Sequence, residues 1–299
     1  MARVADVVAG VLRLPRSEQP AAIRAALADA PPLQEAWNSA FGEGSLFSAF
    51  TRTSVARGVH AANRAALSTI VRRPGFRIIE VGGGAGVLWQ GLLDESSRGE
   101  ILVVDPHPDG SDGVRAAAPA GVEVRHLVRG IEEADLPAAD VIVLSLTLHH
   151  VAGADAVERA RVGLAGSGKL EALRAARASI GTTGLLLLNE ADVHCDLELA
   201  PGDPLLAERL TDSYVRRFAC SILEDIALGG PDAPRWEAIV WRWGLGQVPA
   251  ATHATYAERD VYELDVPRWL ALLDRAGLRV ERRGFTDRWL LFHQYVVRG

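Results

Sequence analysis

Four short stretches of this 299-residue chain bring together residue types that can do chemistry. The first is RIIEVGGGAGVLWQ, residues 77–90, where Glu80 is followed by Gly82, Gly84 and Gly86 at alternate positions. An apolar run that breaks into glycines and then turns apolar again reads as a strand, a tight turn and a helix start. Such a turn brings bare backbone N–H groups against a ligand. The second is Asp105, the acid that closes ILVVD. The third is the pair His149-His150 near the end of VIVLSLTLHHV, residues 141–151, and an imidazole near neutral pH suits a general base. The fourth is NEADVHCD, residues 189–196. If a strand continues through it, Glu190, Asp192 and His194 point to one side.

The glycine spacing narrows the ligand. A dinucleotide loop needs G-x-G-x-x-G/A. Gly82 and Gly84 fit, but Val87 falls on the last position, and starting one residue later puts Ala85 where glycine is required. A phosphate loop fails because no Gly-Lys-Ser/Thr follows. Asp105 at the end of a second strand can accept two hydrogen bonds from a ribose diol, which supports a nucleoside without choosing among nucleosides.

The pattern of apolar strand, acid, apolar residue and alternating glycines resembles motif I of the class I S-adenosylmethionine-dependent methyltransferases. The segment 141–151, with Leu-His-His and a following apolar residue, is similar to that family's fourth-strand segment. The resemblance covers roughly residues 77–195 and 262–297. It implies that Gly82, Gly84 and Gly86 wrap the amino acid end of S-adenosyl-L-methionine, that Glu80 lies beneath its ammonium, and that Asp105 takes the ribose. A carboxylate behind the loop suits this cofactor, which carries an ammonium and a sulfonium and no phosphate. Many relatives place Gly-Asp at the adenine, whereas here Gly130 is followed by Ile131. Ile131 packing on the adenine face and Glu132 accepting from its amino group replace that pair, and Ser145 completes the cofactor set.

These groups need a scaffold that carries them to one crevice. Candidate strands lie at 77–81, 101–105, 122–127, 140–146 and 184–190, with helical stretches between them, most clearly 153–180. Near-continuous apolar strands separated by helices predict a parallel sheet covered on both faces. Strands 278–285 and 288–297 are too close for a helical crossover and form a hairpin, so the last strand is antiparallel. The expected fold is α/β: a seven-stranded, doubly wound, Rossmann-like sheet with six parallel strands. Its core comprises residues 73–195 and 262–299, preceded by a helical segment, 1–72, and interrupted by an insertion, 196–261. SEQPAAIRAALADA and VARGVHAANRAALSTIV read as amphipathic helices of the first segment, and DPLLAERLTDSYVRRFACSILEDIAL as one long helix of the insertion.

In an open parallel sheet, ligands sit beyond the C-terminal strand ends. That places the glycine loop, Asp105, the 145–150 segment and the 190–196 segment around one crevice. His149, His150, Glu190 and His194 are the candidate catalytic groups there. Glu190, Asp192 and His194 have three further uses: binding a substrate amine, holding a divalent metal, or capping the following helix as plain loop residues. No resident metal is expected at the site. The insertion supplies Tyr214, Trp236, Trp241, Trp243, His253 and Tyr256 as an aromatic lid, with Asp192, Tyr214, Trp241 and Tyr256 as substrate contacts. Arg216, Arg217, Arg235 and Arg242 are candidates for gripping a carboxylate or phosphate.

The bulk numbers exclude several classes. A net charge of −6 and a pI of 5.8 argue against a nucleic-acid partner. No apolar run approaches a membrane span of ~20 residues. The apolar N-terminal stretch is short and carries Asp6 and Arg13, so a cytoplasmic protein is expected rather than an exported one. Cys195 and Cys220, the only cysteines, are too few for a disulfide framework. The implied activity is methyl transfer to a small molecule, in specialised metabolism. One rival uses the same cofactor for aminocarboxypropyl transfer or ring closure and releases methylthioadenosine. Another is a binding protein without catalysis. A second copy of the chain, as a homodimer, is the one macromolecular partner left open.

Overall fold

The apolar runs pair as a seven-stranded sheet in the order β3-β2-β1-β4-β5-β7-β6. The structure is a computed structural model that describes residues 3–30, 45–151, 158, 163, 165–194, 199–200, 202–251 and 262–299, without the side chains of residues 250 and 251. The strands are β1 (Phe76–Val81), β2 (Gly99–Val104), β3 (Val122–Leu127), β4 (Val141–Ser145), β5 (Leu185–Ala191), β6 (Arg279–Phe285) and β7 (Phe292–Arg298). β7 alone runs antiparallel, to both β5 and β6, because the short link 286–291 permits only a hairpin. Its partner β6 is the sheet edge and exposes Arg279, Glu281, Arg282 and Arg283, charges that discourage pairing with another sheet.

Helices α1 (Val4–Arg13), α2 (Gln19–Ala28), α3 (Leu46–Thr51) and α4 (Ser54–Leu67) precede the sheet. Thr53 caps α4 by accepting from the N–H of Ala56. Next come α5 (Asp112–Ala117) and α6 (Ser167–Ile180). One sheet face, with Ile79, Ile142, Leu144 and Leu188, packs on α6 and on a helix after the insertion, α11 (Val266–Arg275). The other, with Ile78, Ile101, Val103 and Val143, packs on Leu67 of α4, on Trp89 and on Val114.

The insertion holds two helical runs. The first is α7 (Pro204–Leu210), a π-helical stretch Thr211–Ala219, and α8 (Cys220–Leu228). The second is α9 (Ala233–Ile239), a π-helical stretch Val240–Leu245, and α10 (Gln247–Ala251). The first run is continuous from 204 to 228, as its periodicity predicts, and ends at Gly229, whose φ of 78° suits only glycine. The π stretches touch where a Cβ on Gly244 would lie 2.9 Å from the Ala219 Cβ. π segments cost hydrogen-bond quality and occur frequently at functional sites.

Sequence reading separates an N-terminal helical segment from the insertion, but the two share one core. Val4, Val8, Val11 and Ile23 of α1 and α2 pack with Leu206, Val215, Ile239 and Leu245 of the insertion, and with Ala191 and Phe292 at the sheet end. Two buried carboxylates fasten this cap. Asp232 takes both Nε (2.5 Å) and Nη2 (2.8 Å) of Arg52, and Asp225 takes the N–H (2.8 Å) and hydroxyl (3.0 Å) of Ser54.

One expectation needs correction. The glycine loop does not run into a helix: residues 82–93 form turns and no helix. Gly91, at φ 73°, interrupts the chain, and the fully buried Trp89 turns back under the loop. A ligand at this loop meets turn amides rather than a helix N-terminus.

Candidate functional site

β1 lies between β2 and β4, so the chain leaves it in opposite directions on its two sides. The crevice of a doubly wound sheet opens at that point. Gly82, Gly84 and Gly86 stand there in left-handed conformations, with φ of 74°, 52° and 67°. Side chains would not fit at two of them. A Cβ on Gly82 would lie 2.7 Å from Thr147 Oγ1, and one on Gly86 would lie 2.2 Å from the backbone of Gly113.

Glu80 sits directly behind the loop, 4% exposed, and accepts a hydrogen bond from Trp89 Nε1. Burial pushes its carboxyl up to about 8; the indole works against this, and nearby Asp105 adds to it. A buried acid of this kind takes a proton when no cation faces it and ionises when one does. Asp105 closes β2, also buried, and accepts from the N–H of His107 at 2.8 Å. Burial raises its carboxyl as well, opposed by that hydrogen bond. Gly110 lies against it, leaving no room for a Cβ, which would be 2.5 Å from Asp105 Cγ.

Ile131, on the short 3-10 turn Ile131–Glu133, is 2% exposed and joins the core that contains Val81, Val104 and Leu148. Glu132 is exposed, and its carboxylate lies over Gly130. Ser145 accepts from Asn63 Nδ2 at 3.2 Å. Asn63 in turn accepts from Asn189 Nδ2 and Gln294 Nε2, both at 2.8 Å. Two donors on one oxygen fix which way the Asn63 amide points.

The turn after β4 carries a polar cluster. Glu190, 1% exposed, accepts from the N–H groups of Thr147 (3.1 Å) and Leu148 (2.7 Å) through Oε1, and meets His149 Nδ1 at 2.8 Å through Oε2. Burial disfavours the His149 imidazolium, but the Glu190 carboxylate, helped by Glu263, outweighs this and raises its pKa. Glu263 in turn accepts from the hydroxyl of Tyr214, on the first π stretch of the cap. The His150 ring is exposed and stands 4.2 Å from that of His149. Leu146, one residue past β4, has φ 54°, a left-handed conformation that costs a non-glycine residue about 1–3 kcal/mol and persists only where its surroundings hold it.

β5 ends at Ala191, and Glu190, Asp192 and His194 take separate partners. Asp192 accepts from Arg217 Nη1 (3.1 Å) and from the N–H of Val266 (2.9 Å). His194 Nε2 lies 3.2 Å from Arg209 Nη1. Among the described residues, no group of three or more His, Cys, Asp or Glu side chains is placed to hold a metal ion. In the cap, Trp241 is buried in the shared core, Trp236 donates to the carbonyl of Ala49 at 2.9 Å, and Trp243 packs edge-on against Phe50. Arg216 and Arg235 pair with Asp212 and Asp232, and Arg242 is exposed. Tyr256, His253 and Cys195 lie outside the described residues.

Sequence reading misses Trp89, Thr147, Asn63, Glu263 and Gln294. Only Trp89 carries a signal, as an indole donor just beyond the glycines. Gln294 lies 231 residues from Asn63, and no local pattern joins them.

No family model and no curated protein matches this sequence. Solved structures do. A SAM-dependent methyltransferase from Leishmania major aligns over 99% of this chain and 91% of its own, at 11% identity and a TM-score of 0.51. A protein from Bordetella parapertussis aligns over 99% and 97%, at 17% identity and 0.49. An N-methyltransferase from Bradyrhizobium japonicum aligns over 83% and 98%, at 12% identity and 0.45. With the strand order and the single antiparallel strand, the first likeness gives this chain the Rossmann-like fold of the class I S-adenosylmethionine-dependent methyltransferases.

Proposed function

We propose that this chain is an S-adenosylmethionine-dependent methyltransferase acting on a small molecule. One observation carries the reading: three left-handed glycines end β1 between a buried carboxylate, Glu80, and a second acid, Asp105, at the end of β2. The donor set fits the cofactor. Among the described residues no cation acts on the Glu80 carboxyl, and an ammonium there would draw it into its ionised form. Asp105 suits a ribose diol, and Ile131, Glu132 and Ser145 are left for the base end. When bound, the cofactor supplies a methyl group on a cationic sulfur.

The protein's own task is then alignment and proton removal. The cap covers the strand ends and excludes water from the acceptor. His149, held through Nδ1 by Glu190, keeps Nε2 for the acceptor's proton, and the carboxylate stabilises the imidazolium that results. A net charge of −6 favours a small molecule over RNA as the acceptor.

Calorimetric titration with S-adenosylhomocysteine, and separately with NAD, tests the cofactor. Binding of the first alone is expected, and binding of NAD or of neither overturns the reading. Once an acceptor is in hand, S-adenosylhomocysteine as by-product upholds methyl transfer, and methylthioadenosine replaces it with chain transfer.

A further inference from the structure

We infer that Glu190 is a positioning residue for the cofactor loop, acting through Thr147 from the neighbouring strand. The inference rests on the proposed cofactor reading and adds a residue to it. Three observations meet here. First, the Glu190 carboxylate is buried and holds two successive backbone N–H groups, those of Thr147 and Leu148, on one oxygen. Those two residues directly follow the left-handed Leu146, whose own N–H goes to the carbonyl of Asn189 at 2.8 Å. The carboxylate therefore sustains a backbone geometry the sequence would not choose unaided.

Second, this held turn bears on the loop. Thr147 Oγ1 lies 3.0 Å from the carbonyl of Val81, the last residue before Gly82, and 3.1 Å from that of Ser145, and its one proton is shared between them. Its hydroxyl and methyl fill the space where a Gly82 side chain would stand. Third, the other Glu190 oxygen is taken by His149, which fixes the carboxylate's rotation. A chain of contacts thus runs from β5 through the β4 turn to the first glycine. Without it, the turn that carries Thr147 loses its buried carboxylate anchor, and the loop's wall on the β4 side loosens.

Two readouts test this. Hydrogen exchange over residues 82–88 needs no ligand, and S-adenosylhomocysteine affinity reads the cofactor. Glu190→Gln keeps an oxygen for both N–H groups, so its exchange and affinity should stay within about threefold of the parent. Glu190→Ala should raise loop exchange and weaken binding about tenfold or more. Thr147→Val should do the same with the carboxylate intact, and Thr147→Ser should restore both. If Glu190→Ala does not fold, the Thr147 pair decides. Unchanged loop exchange in Thr147→Val and Glu190→Ala overturns the clamp. A parent that binds no S-adenosylhomocysteine overturns the cofactor role, and the exchange data then show whether the clamp itself stands.

Discussion

The indole of Trp89 donates its hydrogen bond to the carboxylate of Glu80 beneath the glycine loop, and both side chains are buried. Glu80 is thereby held in place by a neutral donor, and its protonation must follow whatever fills the loop.

Proton release is the first consequence. Burial raises Glu80 to about 8, so in the ligand-free protein it is mainly protonated at pH 7. A cationic ligand needs the carboxylate, so binding expels up to about one proton near neutrality. Affinity for S-adenosylhomocysteine should rise with pH until about 8 and then level off. Calorimetry in two buffers of different ionisation enthalpy reads the proton directly. Glu80→Gln should abolish the release and the slope. Stability runs the other way. In the unfolded chain the acid ionises above its ordinary value of 4.5, while the folded protein keeps it protonated until about 8, so its contribution declines as pH rises across that window.

Loss of the second acid should read as affinity alone. Asp105→Ala removes a charged acceptor, and S-adenosylhomocysteine binding should weaken about ten- to a hundredfold. Equal affinity in parent and variant would place the ribose elsewhere.

Gly86 offers a test of folding. Its bare Cα faces the backbone of Gly113, and a methyl at either position would overlap the other chain segment. Gly86→Ala combines that clash with a φ of 67° and should cost about 2 kcal/mol or more, visible as a lower melting temperature. Ala at Gly10, which has nothing near its Cβ position, should leave the melt unchanged or raise it.

Catalysis should separate from cofactor binding at His149. His149→Gln keeps a group able to donate to Glu190 but cannot take a proton. Turnover should fall about a hundredfold with S-adenosylhomocysteine affinity little changed. Equal loss in both would mean that His149 only supports the turn.

Much of the sheet is legible because buried parallel strands are written as short apolar blocks. ILVVD and GLLLLNE each end in an acid at the crevice, and DVIVLSL carries Ser145 next to its last residue. The hairpin follows from chain length alone. What stays hidden depends on partners distant in sequence. The apolar stripe of α1 states that one face is buried, not that it meets the insertion. Three polar residues at strand spacing do not reveal their partners, which for Asp192 and His194 are Arg217 and Arg209 of the insertion. The helix anticipated after the glycines is absent because Gly91 and the inward Trp89 defeat a propensity that is weak over so few residues.

The shared core of the cap has a bearing on how the chain is born. Val4, Val8, Val11 and Ile23 are synthesised well before Leu206, Val215, Ile239 and Leu245 of the insertion, which share their core. Until the insertion emerges, their cluster with Leu46, Phe50, Val55 and Val59 is incomplete. A polypeptide released just after β5 would lack the insertion's share of this core, and such fragments should clump or recruit chaperones rather than persist in solution.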